Sequence, residues 1–382
     1  MEHRQLSSKV KLQKLTVLSK PIQRSFHLSK LFTPLKIRGV EFRNRAWVSP
    51  MCQYSAVDGV VGEWHRIHLG AFSSGGTGLV MVEATAVNPV GRISIVCPGI
   101  WSEVHSQAFR PMVDFAHSQG AKIGIQLAHA GRKGSTSALN ADHPHLTAEE
   151  GGWENVAPSA IAYEGYPTPH ALTHDEIHQT VEDFVAAANR AVAVGFDVLE
   201  IHAAHGYLMH EFMSPLSNQR TDEYGGDFEG RTRIIREVVT KIRAAIPETI
   251  PLFIRISATD WTQGGWDLPQ SIQLAKILKD LGVDLIDVSS GGNVSGVKIS
   301  VGPGYQVPFG DEIRKSAGVL TSSVGLITDA HQAEEILNSG KADAVMLARE
   351  MLRNPHWPMM AAEELGEKID WPIQFERARR VH

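Results

Sequence analysis

Cysteine is scarce in this chain, with only Cys52 and Cys97 among 382 residues. Two thiols exclude a disulfide framework and a cysteine-ligated iron–sulfur cluster, and they fit a reducing compartment. No apolar run approaches the length that spans a bilayer, so no membrane partner is expected. Positive charge is not in excess either. The formal net charge is −5, which offers no global field for nucleic acid or an anionic surface and leaves small molecules as the expected partners. No internal repeat is visible, and no Gly-x-Gly-x-x-Gly turn follows the first candidate strand. That absence counts against a dinucleotide-binding doubly wound sheet.

What is present is a large apolar fraction, 43% of residues, enough for one α/β barrel or two smaller domains. Residues 1–30 stand apart, with Arg4, Lys9, Lys11, Lys14, Lys20, Arg24 and Lys30 against the single acid Glu2. The segment reads as an exposed N-terminal extension, with a mitochondrial transit peptide as the alternative; cytoplasmic residence is the expectation that goes with the first. From residue 31 to 382 one domain is expected. Short apolar runs suit strands at Ala46–Ser49, Leu79–Glu83, Ile123–Leu127, Val198–Ile201, Leu252–Ile256, Leu285–Val288, Val324–Ile327 and Ala344–Leu347. Helical patterns lie between them at Trp64–Phe72, Gln107–Ser118, Glu176–Val194, Arg231–Ile246, Ser271–Leu281 and Ala330–Asn338. Thr173 to Glu176 has the form of a capping box, and Gly282 and Gly340 suit helix ends. Only the Val288 to Val324 connection lacks a clear helix. Strand then helix about eight times predicts a (β/α)8 TIM barrel with long β/α loops, the doubly wound sheet being the runner-up. The long loops are Gly131 to Pro169, Tyr207 to Gly230 and Ser290 to Val319, all following strands and so expected over the barrel mouth.

Chemistry concentrates where such barrels keep it, at the C-terminal ends of strands. Val198 to Ile201 leads directly into His202, His205 and Tyr207. Two imidazole donors aimed at one point can hold a carbonyl oxygen and stabilise charge that develops on it, and a nearby phenol can supply a proton. The His-x-x-His pair also stands open to a structural polar role; as a metal site it lacks a third ligand nearby, and no metal is expected. Arg255 lies among apolar neighbours, where a cation needs an anionic group. Either a structural ion pair with Glu200 or Asp287, or a cofactor that becomes anionic, meets that need. Gly325 and Ala348 to Arg353 follow the last two strands, where barrels often bind phosphate. With Gln126 inside the third strand, these features suggest a phosphorylated cofactor over the mouth. Cys52 fits a place beside a redox cofactor rather than a nucleophile, and Cys97 is expected to be structural. A flavin-free aldolase or lyase would need a Schiff-base lysine, for which Lys133 is the evident candidate.

The motifs Asn44 to Tyr54, Val82 to Val87, Gln126 to Lys133, His202 to Leu208, Arg220 to Gly226, Arg255 to Ala258 and Arg349 to Pro355 resemble those of the Old Yellow Enzymes, in particular their thermophilic-like branch. The resemblance runs from about Leu31 to Arg377. It implies an FMN-dependent ene-reductase with NADPH as hydride donor and α,β-unsaturated carbonyl compounds as substrates. By the same resemblance, Ser49, Pro50, Met51 and Cys52 line the flavin, and Ala84, Gln126 and Arg255 contact its pyrimidine side. Ala348 and Arg349 match the phosphate-binding pair, with alanine where the family usually has glycine, and Arg353 assists. His202 and His205 match the pair that holds the substrate carbonyl, Tyr207 the proton donor and Tyr54 a substrate-contacting tyrosine. Arg377 resembles a residue placed in a neighbouring subunit's site, which implies a homodimer or a tetramer of dimers. A solvent-exposed terminal charge is the other reading of Arg377. A flavin-binding protein without alkene turnover stands as the alternative function.

Overall fold

Eight short runs of buried residues line up as eight parallel strands in the computed structural model, which describes residues 29–137 and 143–379. The strands are β1 (Ala46–Val48), β2 (Leu79–Ala86), β3 (Lys122–Ala128), β4 (Val198–Ala203), β5 (Leu252–Ser257), β6 (Leu285–Ser289), β7 (Leu320–Ser323) and β8 (Ala344–Leu347). Each pairs with the next, and β8 returns to β1 through Val345, Met346 and Leu347 against Ala46, Trp47 and Val48. The result is the closed (β/α)8 barrel that the alternation predicts. Residues 1–28 of the basic extension lie outside the described residues.

The helices pack around this barrel, with their apolar stripes turned inward. The longest, His174–Val194, opens on a capping box in which Thr173 Oγ1 accepts from Glu176 N and the Glu176 carboxylate accepts from Thr173 N. Glycines at 282 and 340 adopt the left-handed conformation just past helix ends, where a side chain would be strained. Two other helices open earlier than the periodicity predicts, at Phe228 and Leu268, behind caps from Asp227 and Asp267.

Three expectations need correction. The seventh strand is Leu320–Ser323, not Val324–Ile327. Its Thr-Ser-Ser is buried and polar, Ser322 Oγ donating to Asp287 Oδ1 inside the barrel, whereas Leu326 has φ +52°, which no strand residue adopts. The connection thought to lack a helix contains one, Val307–Ala317. Pro308 sits in its first turn, where a missing N–H costs nothing, and Gly310 lets it approach β7: a Cβ there would lie 2.8 Å from Ser323 Oγ. The pattern at 107–118 is two helices, Glu103–Ala108 and Arg110–Ser118, because Pro111 has no N–H to bond the carbonyl of Gln107.

A hairpin of Leu35–Ile37 and Val40–Phe42 closes the end of the barrel where the strands begin. Phe42 packs 4.7 Å from Trp47, which stacks on Phe253 at 5.9 Å. Burying such side chains stabilises by roughly 1.5–3 kcal/mol each and leaves the opposite end free for chemistry.

Candidate functional site

Inside the barrel, inward residues of neighbouring strands form a polar layer beneath the mouth. Register sets it: Gln126 lies opposite Glu200, and Arg255 lies between His202 and Asp287. Gln126 Nε2 donates to Glu200 Oε1 at 2.7 Å, and Arg255 Nη2 donates to Ser49 Oγ at 3.0 Å. Arg255 Nε meets Asp287 Oδ2 at 3.0 Å, so the ion-pair reading of Arg255 holds with Asp287 as partner. Burial, then repulsion from Asp287, pushes the Glu200 carboxyl up to about 8.

Above this layer is a cavity of about 310 Å³. Ser49 and Pro50 enter it from the end of β1, Arg255 from β5, and Ala348, Arg349 and Arg353 from beyond β8. The same guanidinium that pairs with Asp287 therefore lines the cavity. Gly325, at φ +125°, forms part of the wall, and a Cβ there would stand 3.1 Å from both Gln306 Nε2 and Tyr305 Cε1. The narrow cradle next to Arg349 needs that glycine. Of the other flavin residues implied by resemblance, Ala84 and Cys52 sit in one apolar cluster with Tyr54 and Tyr207, Met51 packs on the main core, and Gln126 stays in the layer below.

The three residues singled out after β4 come together. The rings of His202 and His205 are 5.3 Å apart, and those of His202 and Tyr207 are 5.0 Å apart, both edge to face. His205 has φ +59° and Tyr54 φ +52°, conformations that non-glycine residues hold only when their surroundings impose them. His205 N accepts that geometry while donating to Ser257 Oγ at 2.9 Å, and its Nε2 lies 2.7 Å from Ser289 Oγ. The Ser289 proton can go to this nitrogen or to Gln306 Oε1, and that choice sets the His205 tautomer. His202 Nδ1 is buried and has no hydrogen-bond partner. Burial, reinforced by Arg255 and Lys133, holds both imidazoles well below the usual histidine range, so they are neutral near pH 7. Burial pushes the Tyr207 phenol well above its ordinary value and keeps it protonated.

The lysine that the sequence offers as a Schiff-base candidate stands beside this cluster in a different role. Lys133 Nζ donates to the carbonyls of His205 and Gly292 and lies 4.9 Å from the centre of the Tyr207 ring. Burial brings its ammonium down to about 8. Its place in the Gln126 to Lys133 motif was the available signal. Cys97 lies against Cys52, and their sulfurs and a Glu83 oxygen are all within 4.8 Å of one another. The loops after β1 and β2 converge there, with Ala56 N donating to Val96 O. Arg377, in the turn Ile373–Ala378, is exposed and is not among the residues lining the cavity of its own chain. No helix among the described residues is long and apolar enough to cross a membrane.

Comparison with known proteins gives a consistent picture. The model of the NADH:flavin oxidoreductase / NADH oxidase family matches residues 30–368. An NADH:flavin oxidoreductase of Gibberella zeae is 48% identical over 371 residues, covering 91% of this chain and 90% of the relative. The NADPH dehydrogenase of Bacillus subtilis is 47% identical over 351 residues, covering 91% of this chain and 98% of the relative. Among solved structures, morphinone reductase superposes with a TM-score of 0.75 at 30% identity, covering 91% of this chain and 92% of its own.

Proposed function

Because the chain belongs to the NADH:flavin oxidoreductase / NADH oxidase family and is an oxidoreductase of the Old Yellow Enzyme type that uses FMN and NAD(P)H, we propose that it reduces the activated C=C bond of α,β-unsaturated carbonyl compounds. The observation that carries this reading is the buried, unpartnered Nδ1 of His202 beside His205 and Tyr207. A buried polar nitrogen without a partner is costly unless a ligand completes it.

The residues present fit FMN. Arg349 and Arg353 beside the Gly325 cradle suit its phosphate, and Arg255 with Ser49 suits the ring system. Ala348 lines the same cavity, and in this reading Met51, Cys52, Ala84 and Gln126 contact FMN from beyond that lining. When bound, FMN supplies the hydride chemistry between NAD(P)H and the alkene.

The chain's own groups do the rest. Neutral His202 and His205 donate to the substrate's carbonyl oxygen and stabilise the negative charge that grows there as the β-carbon is reduced. Tyr207 gives its proton to the α-carbon, and the Lys133 ammonium 4.9 Å from its ring stabilises the phenolate left behind. Tyr54 bounds the substrate space. Arg377, exposed on its own chain, serves the neighbouring subunit's site in a homo-oligomer, and Arg377→Ala then raises KM for the alkene.

The direct test is spectroscopic. Protein mixed anaerobically with NADPH should lose its flavin absorbance, and cyclohexenone should restore it with formation of cyclohexanone. Protein that bleaches and stays bleached would end the alkene reading, and His202→Ala/His205→Ala should keep flavin while losing most of the recolouring rate.

A further inference from the structure

The two cysteines, far apart in sequence, share one apolar cluster. Cys97 is buried, and its sulfur lies 3.5 Å from Ser94 Oγ; Cys52 is only half-buried. Their sulfurs are within 4.8 Å of each other, and the loops that carry them are already joined, Ala56 N donating to Val96 O and Gly99 N to Gly59 O, each at 2.9 Å. Ala84, Tyr54 and Tyr207 pack against the same cluster. Nothing in the alkene chemistry uses Cys97.

We propose that Cys52 and Cys97 are a peroxide-oxidisable dithiol that closes to a disulfide beside the active site. The oxidant is hydrogen peroxide, the product expected when a reduced flavin passes two electrons to molecular oxygen instead of to an alkene. For that source of peroxide the proposal rests on the flavin reading above.

The partly exposed Cys52 sulfur attacks one peroxide oxygen. The O–O bond breaks, water leaves, and Cys52 becomes a sulfenic acid. Cys97 then attacks the Cys52 sulfur, the S–S bond forms, and the S–O bond breaks with release of a second water. The sum is two thiols and one peroxide giving one disulfide and two waters. The division of labour matches the pair's electrostatics. The contact from Cys52 holds the Cys97 thiol below its ordinary value, and Ser94 adds to this, so Cys97 is the sulfur ready to resolve a neighbour's sulfenic acid. Contact with Cys97 and burial push the Cys52 thiol up, which makes its first reaction slow and reserves it for high local peroxide. The consequence is a brake: closing the bridge turns the Cys52 sulfur toward Cys97 and shifts the cluster against which Tyr54 and Tyr207 pack.

The test treats the full-length holoenzyme with hydrogen peroxide, without NADPH, then denatures it and counts alkylatable thiols by mass. The expected count falls from two to none, the intact protein is lighter by two hydrogens, and a cross-link joins the tryptic peptides 46–66 and 93–122. Cys97→Ser should stop at a Cys52 sulfenic acid that dimedone captures. Two thiols surviving excess peroxide, an intermolecular bridge, or Cys52 sulfinic acid with Cys97 still free would each overturn the dithiol. A second arm replaces peroxide with NADPH and oxygen, with catalase as control. Bridging with added peroxide but not in this arm would keep the dithiol and refute the flavin as its oxidant source.

Discussion

Tyr207 lies between a neutral ring and a cation: His202 meets it edge to face at 5.0 Å, and the Lys133 ammonium is 4.9 Å from its ring centre. Tyr207→Phe keeps that packing and removes only the proton. Alkene-dependent flavin reoxidation should slow by about a hundredfold to ten-thousandfold, with reduction by NADPH unchanged, as read by stopped-flow absorbance of each half-reaction. Equal slowing of both halves would put Tyr207 outside proton transfer.

Lys133 adds a pH dependence. Burial lowers its ammonium to about 8, so the cation beside Tyr207 is lost as pH rises through that value. The alkene half-reaction should decline across the same range. Lys133→Met should be slow at neutral pH and show no such step.

Gly325 offers a test of where the cofactor sits. An alanine there must take up φ +125° and place its Cβ 3.1 Å from Tyr305 and Gln306. Gly325→Ala should weaken FMN binding by about tenfold or more, measured by flavin released on dialysis, while far-ultraviolet circular dichroism of the protein is unchanged.

Asp260 predicts an acid limit to stability. Burial raises its carboxyl, but His210 at 2.9 Å, Ser214 Oγ and Trp266 N outweigh that and bring it down to about 2. Since the folded value lies below the unfolded one, the contribution is full above about pH 4 and is lost as pH falls toward about 2. Asp260→Asn should therefore cost stability at neutral pH, and the difference from wild type should shrink by about 2 kcal/mol over that acid range in denaturant titrations.

Much of this is legible in the amino-acid sequence. Seven of the eight strands lie where short apolar runs lie, because an inward-facing parallel strand is buried on both sides. The seventh escaped because Thr321, Ser322 and Ser323 are polar yet buried, Ser322 bonding to Asp287, and no hydropathy pattern marks such a strand. Helix 307–317 escaped because Pro308 and Gly310 punctuate most sequences and here serve a first turn and a close approach. In the site, His202, His205 and Tyr207 were visible as a cluster since they share one strand end. The Cys52–Cys97 contact was not, because it depends on how two irregular loops fold against each other.

The barrel closes between its first and last strands, Ser49 N donating to Leu347 O at 2.9 Å. Ser49 and Pro50 on one side of that seam and Ala348 and Arg349 on the other face the same cavity. A chain emerging from the ribosome thus holds one edge of the cavity long before most of its wall exists. Cofactor capture must wait for the end of synthesis, and a ligand seated there acts as a clasp across the last joint to close.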